Sequence, residues 1–298
     1  MMDRPFPELT LRQDFLADPV AWSAVADILQ DIFDIDIAIL DDLGGPDPGS
    51  MPFAWFDGSG QCVANLTAFP MPLMLGGRIV RAHGLQSGAV RPSWRGRGLY
   101  RDILARALAW CGEQQGELVI LTTASPELYI KAGFQPVAQH RFLASPPPAE
   151  AVAPQARLLN LTRWADLELV QGLLAQRTPV SKAVAVTGHA AMFLFNAAST
   201  PSLQLSYLPS IDAVVAWDEE ETGTFRLVDI VGSTIPSLGF ILAALNKRPV
   251  SVEICFPPDR LGCEARATPL EEDLVLMVKG EVPSTMQEPF RLPPTAGF

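Results

Sequence analysis

The sequence predicts a mixed α/β protein in which one plan, a mostly antiparallel sheet flanked by helices, is used twice. Three observations carry that expectation. Apolar residues over 8–144 switch between strand and helix periods in the order strand, helix, three strands, helix, strand, helix, strand. The run Ser145-Pro146-Pro147-Pro148-Ala149-Glu150 then breaks the pattern with linker chemistry. After it, the order strand, helix, three strands, loop, helix, strand begins again. The boundaries read this way are a first domain over 1–144, a linker over 145–156 and a second domain over 157–298. A chain of 298 residues gives each domain enough length for its own core.

Taken in order, Glu8 to Arg12 alternates like a short strand. Asp18-Pro19 reads as a helix start, with the carboxylate capping free N–H groups and the proline at the position that needs no donor. Val25, Ile28, Leu29, Ile32 and Phe33 continue it at helical spacing. Asp34–Ser50 is acidic, then Gly/Pro-rich: a loop with room for a second short helix. Met51–Phe56, Cys62–Leu73 and Arg78–Val90 read as strands, separated by Asp57-Gly58-Ser59-Gly60 and Gly76-Gly77, both good hairpin chemistry. Ile103, Leu104, Ala107, Leu108 and Cys111 mark one face of a helix that reaches about Gln114 and is closed by Gly116. Leu118–Thr122 is a short apolar strand, Pro126–Ala132 a brief helix ended by Gly133, and Val137–Phe142 a last strand.

In the second half, Leu158–Leu161, Leu203–Leu208, Ala213–Trp217, Phe225–Val231 and Val250–Cys255 read as strands, and Trp164–Ala175 as a helix. Gly232-Ser233-Thr234-Ile235-Pro236 is a loop leading into a helix that ends near Leu245.

Composition narrows the function. Hydrophobic residues at 48% against 18% charged mark a globular chain and exclude a disordered one. A formal net charge of −11 argues against nucleic acid or an anionic membrane as partner, since both need a basic face. Cys62, Cys111, Cys255 and Cys263 form no CxxC pair and have no neighbouring histidine, so buried thiols are expected and not a metal or redox centre. Met1-Met2-Asp3-Arg4-Pro5 opens no apolar run of the signal-peptide kind, and no stretch has the length of a membrane span. A cytoplasmic protein is expected.

Against this acidic background stands Val90-Arg91-Pro92-Ser93-Trp94-Arg95-Gly96-Arg97-Gly98-Leu99-Tyr100, where a strand runs into two glycines alternating with arginines and then into a helix. Gly96 and Gly98 let the backbone approach an anion and take turn geometry. The first helical N–H groups lack internal partners, and Arg95 and Arg97 add forked positive charge. The chemistry this suits is the grip on a pyrophosphate.

Val90-x-Pro92-x-x-Arg95-Gly96-x-Gly98, followed about thirty residues later by Leu128-Tyr129-x-x-x-Gly133-Phe134, resembles the GCN5-related N-acetyltransferase (GNAT) family. Within it, the Arg-rich loop, the second similar domain and the loop-to-tyrosine spacing are similar to the enhanced intracellular survival branch. That branch carries a further sterol-carrier-like domain, for which this chain leaves no room. The resemblance implies acetyl-coenzyme A as cofactor, with Gly88, Ala89 and Val90 pairing through their backbone with its pantetheine arm. It implies that Arg95, Gly96, Arg97, Gly98, Leu99, Tyr100 and Arg101 hold the pyrophosphate, and that Ser125 also contacts the cofactor. Tyr100 departs from the pattern, because the family has glycine or alanine there.

The resemblance also assigns Tyr129 as general acid toward the departing thiolate, a role that suits a phenol with an ordinary pKa near 10. Its alternative is a ring that packs the short helix against the sheet. For a base, Arg81–Val90 offers His83, Gln86 and Ser87 and no carboxylate. His83, Glu127, the carboxylate of Phe298 and water all stand as alternatives. Asp34, Asp36, Asp41, Asp42 and Asp47 suit either a cationic acceptor or an ordinary solvated loop. The reading is a transferase moving acetyl to a primary amine of a small molecule or peptide. The second domain would be a non-catalytic partner that shapes the acceptor pocket or a homo-oligomer interface. Two rival readings are an acetyl-CoA-binding regulator without turnover and an interaction scaffold without cofactor.

Overall fold

The computed structural model describes residues 6–13, 16–148, 150 and 155–297. The chain divides into two compact units. The first is built from residues up to Pro70 together with Arg81–Leu121, and the second from Met71–Val80 together with Thr122–Gly297. Elements begin with β1 (Thr10–Arg12), α1 (Pro19–Phe33), α2 (Ile39–Asp42), β2 (Met51–Phe56) and β3 (Cys62–Pro70). A hairpin of β4 (Leu73–Leu75) and β5 (Arg78–Val80) follows, then β6 (Ala82–Val90), α3 (Leu99–Glu113) and β7 (Leu118–Thr123). Next come α4 (Glu127–Ile130), β8 (Gln135–Val137), β9 (His140–Ala144), β10 (Arg157–Leu158), α5 (Trp164–Ala175), β11 (Val184–Val186) and α6 (Ala190–Ser199). The chain continues with β12 (Gln204–Leu208), β13 (Ala213–Glu219), β14 (Thr224–Gly232), α7 (Leu238–Ala244), β15 (Ser251–Ile254), β16 (Arg266–Pro269) and β17 (Val275–Lys279).

In the first unit the strands lie in the order β1-β2-β3-β6-β7. All neighbours are antiparallel except β6 and β7, which α3 joins as a parallel crossover. Asp18 caps α1 as its sequence requires, accepting from the N–H groups of Val20 and Ala21 at 3.0 and 3.3 Å. Ala21, Val25, Ile28 and Leu29 form the buried face of α1, and Leu99, Ile103, Leu104, Ala107 and Cys111 that of α3. Each large aliphatic side chain among them contributes about 1.5–3 kcal/mol by leaving water. The β2–β3 turn is tied by Asp57, whose Oδ1 accepts from the amides of Ser59 and Gln61 at 2.9 and 3.1 Å.

The second unit has its main sheet in the order β10-β12-β13-β14-β15-β9-β16. Here β12, β13 and β14 are successive antiparallel neighbours, and α7 carries the chain from β14 to its parallel partner β15. Phe225, Leu227, Ile230, Ile241, Phe256 and Leu261 belong to its core. The run β12-β13-β14-α7-β15 therefore repeats β2-β3-β6-α3-β7. The protein is a mixed α/β chain carrying two mostly antiparallel sheets flanked by helices.

Three sequence expectations change. The run Cys62–Leu73 breaks at Pro70-Met71-Pro72, since proline has no N–H for a ladder. Beyond the break, β4 pairs with β5 and with β11 in a small sheet of the second unit. The single strand expected over Val137–Phe142 is two: β8 pairs with β17, while β9 lies between β15 and β16. Residues 140–144, assigned by sequence to a first domain ending at 144, thus belong to the second unit's sheet. Alternating hydrophobicity identifies a half-buried strand but not the sheet it joins. Of the expected linker, Ser145–Pro148 is coil, and 149 and 151–154 lie outside the described residues.

The cysteines are free thiols; burial pushes Cys62 and Cys111 up to about 12 and Cys255 to about 11. Among the described residues no helix is long and apolar enough to cross a membrane.

Candidate active site

The central feature of the first unit is an irregularity in β6. Its pairing with β3 runs to Thr67↔Gln86 and resumes at Asn65↔Ala89, so Ser87 and Gly88 together face Leu66. This is a β-bulge, which leaves one residue unpaired in the ladder. Ser87 takes a left-handed φ of 60° to make it. Asn65, fully buried, donates from Nδ2 to the Ser87 carbonyl at 3.0 Å and pins the bulge, while its Oδ1 has no partner among the described residues. On the opposite edge, pairing with β7 runs from Ala82↔Leu118 to Gly84↔Ile120 and stops. Past Gly84, that edge of β6 has no strand partner among the described residues.

The chain leaves this edge through a 3₁₀ turn at Pro92–Trp94 into the Gly/Arg loop. Arg91 is structural: its Nε donates to the Cys62 carbonyl at 2.8 Å and its guanidinium pairs with Asp31. Gly96 and Gly98 have φ of 75° and 87°, values a side chain would strain. Gly98 is the N-cap of α3 with no side-chain cap hydrogen bond, and the first amides of a helix have no partner within the helix itself. Leu99 is buried and anchors the helix start, leaving the guanidinium groups of Arg95, Arg97 and Arg101 on exposed residues. Arg95 Nε donates to the Val90 carbonyl at 3.1 Å, and Arg97 stacks on Trp94 with its carbon 4.4 Å from the ring centre. The one acid in the first turn, Asp102, is engaged by Arg106 at 2.8 Å and by Trp55 Nε1 at 3.2 Å. A helix N-terminus, left-handed glycines and three exposed arginines are the features that suit an anion. The first unit thus brings together Gly88, Ala89, Val90 and the residues from Arg95 to Arg101.

Tyr100 departs from a plain cradle. A Cβ placed on Gly88 would lie 2.5 Å from the Tyr100 hydroxyl oxygen and 3.1 Å from its Cε2. The ring therefore covers the bulge at the one residue with no side chain.

The remaining candidates lie in the second unit. Tyr129 is buried on α4 with its ring edge-on to Phe134, centroids 5.8 Å apart. The x-x-x-Gly-Phe spacing is that of a helix end: Gly133 turns with φ 88°, and the Phe134 N–H donates to the Tyr129 carbonyl at 3.3 Å. Lys279 Nζ caps the same turn, donating to the Ala132 carbonyl at 2.8 Å. Ser125 is half-buried, with its N–H on Thr123 Oγ1 at 3.0 Å. Phe298 lies outside the described residues.

His83 sits in the paired half of β6, buried edge-on against Trp110, and burial lowers its pKa. In the acidic loop, Asp36 and Asp47 spend their carboxylates on the amides of Ala38 and Gly49 at 2.9 and 2.7 Å, and Asp34 accepts from Gln30. Asn65 escaped the sequence reading. Its only signal was a polar residue inside an otherwise apolar strand.

Residues 50–137, from the edge of β2 through the bulge, the loop, α3 and the Tyr129 turn, match the acetyltransferase (GNAT) domain family. That match covers less than a third of the chain. Solved structures agree in fold over most of the chain. A conserved protein from Enterococcus faecalis, described as a probable N-acyltransferase, superposes with a TM-score of 0.58 at 15% identity, covering 91% of this chain and 71% of its own. A GCN5-related N-acetyltransferase from Kribbella flavida gives 0.55 at 15% identity over 91% and 71%. Eis1 from Mycobacterium abscessus gives 0.58 at 13% identity over 90% and 72%. No curated protein matches in sequence.

Proposed function

We propose that the GNAT domain binds acetyl-CoA along β6 and in the α3 loop, and transfers the acetyl group to a primary amine of a small molecule or peptide by direct attack. One observation carries this reading: β6 leaves its neighbour after Gly84, bulges at Ser87-Gly88 and ends in an uncapped Gly/Arg helix start. Acetyl-CoA supplies the activated acyl group as a thioester. The free peptide groups of Gly88, Ala89 and Val90 are suited to an amide-bearing arm, which they would bind as an added strand. The N–H released by the bulge is suited to a carbonyl oxygen on which negative charge develops during attack. Arg95, Arg97, Arg101 and the amides from Gly98 to Tyr100 would hold the pyrophosphate.

Tyr129 would donate the proton to the departing sulfur; its motif and its fixed, buried ring support this. Tyr129→Phe is expected to lower kcat by roughly a hundredfold or more while changing CoA affinity little, in the range general acids supply. Equal turnover would remove Tyr129 from the chemistry. Residues 157–298, the second domain read from the sequence, are proposed as a non-catalytic partner, since their corresponding loop, Gly232 to Ser237, has no arginine and no Gly-x-Gly.

Leu85–Val90 carries no carboxylate, which favours one second reading: a regulator that binds acetyl-CoA without turnover. Calorimetric titration with CoA, followed by thiol-release assays over polyamines, aminoglycosides, amino acids and peptides, separates the two. Binding with thiol release supports the transferase, and binding with none supports the regulator. Absence of CoA binding overturns both.

A further inference from the structure

We infer that Tyr100 sets the length of the acyl chain the protein accepts. The inference rests on the reading of β6 as the donor site. Gly88 is one of the two residues of the bulge, and the Tyr100 hydroxyl stands 2.5 Å from the point a Gly88 Cβ would occupy. No larger residue fits at 88 unless the ring moves, so glycine and tyrosine form a matched pair across the strand–helix crossover.

The ring is held from behind. Tyr100 is the second residue of α3, between buried Leu99 and the buried face that continues at Ile103 and Leu104. The floor beneath it is equally fixed, because Asn65 Nδ2 ties the Ser87 carbonyl from the neighbouring strand.

A bulge frees a backbone N–H, and the thioester carbonyl is the acceptor that belongs there. The acyl carbons then extend from the strand that the Tyr100 ring covers. An acetyl methyl adds one carbon to that space. A butyryl or octanoyl chain adds several and must displace an aromatic side chain anchored on a helix, a form of overpacking. Tyr100 thus acts on specificity and not on the chemistry. It also accounts for a bulky residue where the family pattern has a small one: the space a longer chain would need is already filled.

The test is calorimetric titration of the full chain with CoA, acetyl-CoA, butyryl-CoA and octanoyl-CoA, which needs no acceptor. Wild type is expected to bind acetyl-CoA at least about tenfold more tightly than octanoyl-CoA, the scale of one overpacked site. Tyr100→Ala should bring the two affinities together, read as the acetyl-to-octanoyl ratio so that any common change in the grip on CoA cancels. Tyr100→Leu, which keeps an apolar side chain over the bulge, should fall between and serves if the alanine variant unfolds in a thermal melt. If CoA binds but the acetyl-to-octanoyl ratio is the same in wild type and variants, the inference fails and the donor-site reading stands. If wild type binds no form of CoA, the donor-site reading fails and takes the inference with it.

Discussion

Strands β6 and β14 are built alike and used differently. Each pairs antiparallel with the strand before it and parallel with the strand after the crossover helix. Each bulges part-way, with pairing resumed at Ala89 in β6 and at Asp229 in β14. The parallel partner ends before that point in both, at Gly84↔Ile120 and Leu227↔Ile254. What fills the space beyond the bulge differs. In the second unit, Asp229 is fully buried and takes Arg177 Nη2 at 2.7 Å and Thr295 Oγ1 at 2.7 Å. Thr295 belongs to a 3₁₀ turn held in turn by Asn196, whose Nδ2 donates to the carbonyls of Thr295 and Gly297. In the first unit the resuming residue is alanine, and the loop beyond it is glycine and arginine. One copy closes its bulge with an internal ion pair; the other has only an alanine at that position. The plan is shared, and a handful of side chains decides whether it is a site.

The largest expected effect comes from breaking the closed copy. Asp229→Ala leaves Arg177, itself buried, without its partner, and should cost about 3–5 kcal/mol in denaturant unfolding of the second unit. The double change Arg177→Met with Asp229→Leu should recover most of that loss. A small effect from Asp229→Ala alone would mean that the ion pair does not hold the second copy together.

The two helix starts sharpen the comparison next. Gly98→Ala forces a side chain into a left-handed residue, at roughly 1–2 kcal/mol of strain, and crowds the first amides of α3. CoA affinity should fall at least about tenfold, more than that strain alone requires, because the anion grip is distorted as well. At the other start, Ser237 caps α7 by accepting from the Phe240 N–H at 3.1 Å. Ser237→Ala should cost about 1 kcal/mol of stability and leave CoA affinity unchanged. Equal effects on CoA binding from the two changes would erase the distinction between a ligand-binding loop and a capped one.

Local chemistry was readable; pairing was not. Asp18-Pro19 announces α1 because a cap and a first-turn proline act within a few residues of each other, and the structure starts the helix there. Gly96 and Gly98 announce the loop for the same reason: a left-handed residue is a property of one position. The bulge depends on register against β3, and the Asn65 that pins it lies 22 residues from its acceptor, Ser87. The contact between Gly88 and Tyr100 exists only once the crossover brings α3 over β6. Likewise Arg177 and Asp229 are 52 residues apart, and nothing near either predicts the other. The placing of residues 140–144 in a first domain misses on the same ground, since a strand's own pattern does not name its neighbours.

The smallest expected effect concerns the paired halves of the two strands. There β6 holds His83 opposite Val119, and β14 holds Phe225 opposite Val252; both are buried, and only the histidine titrates. Burial holds the folded His83 below the usual value of 6.5, while the unfolded chain takes up its proton near that value. The unfolded state therefore binds more protons as pH falls through 6.5, so the stability His83 contributes is complete above that pH and drains away below it. Melting curves between pH 7.5 and 5.5 should show a declining Tm for wild type and a shallower decline for His83→Gln. CoA affinity should not follow, because His83 lies four residues, or about 13 Å of extended strand, before the bulge. A histidine variant with the wild-type slope would show that the pH dependence arises elsewhere. One with weakened CoA binding would extend the donor site into the half of β6 that its partner strand already occupies.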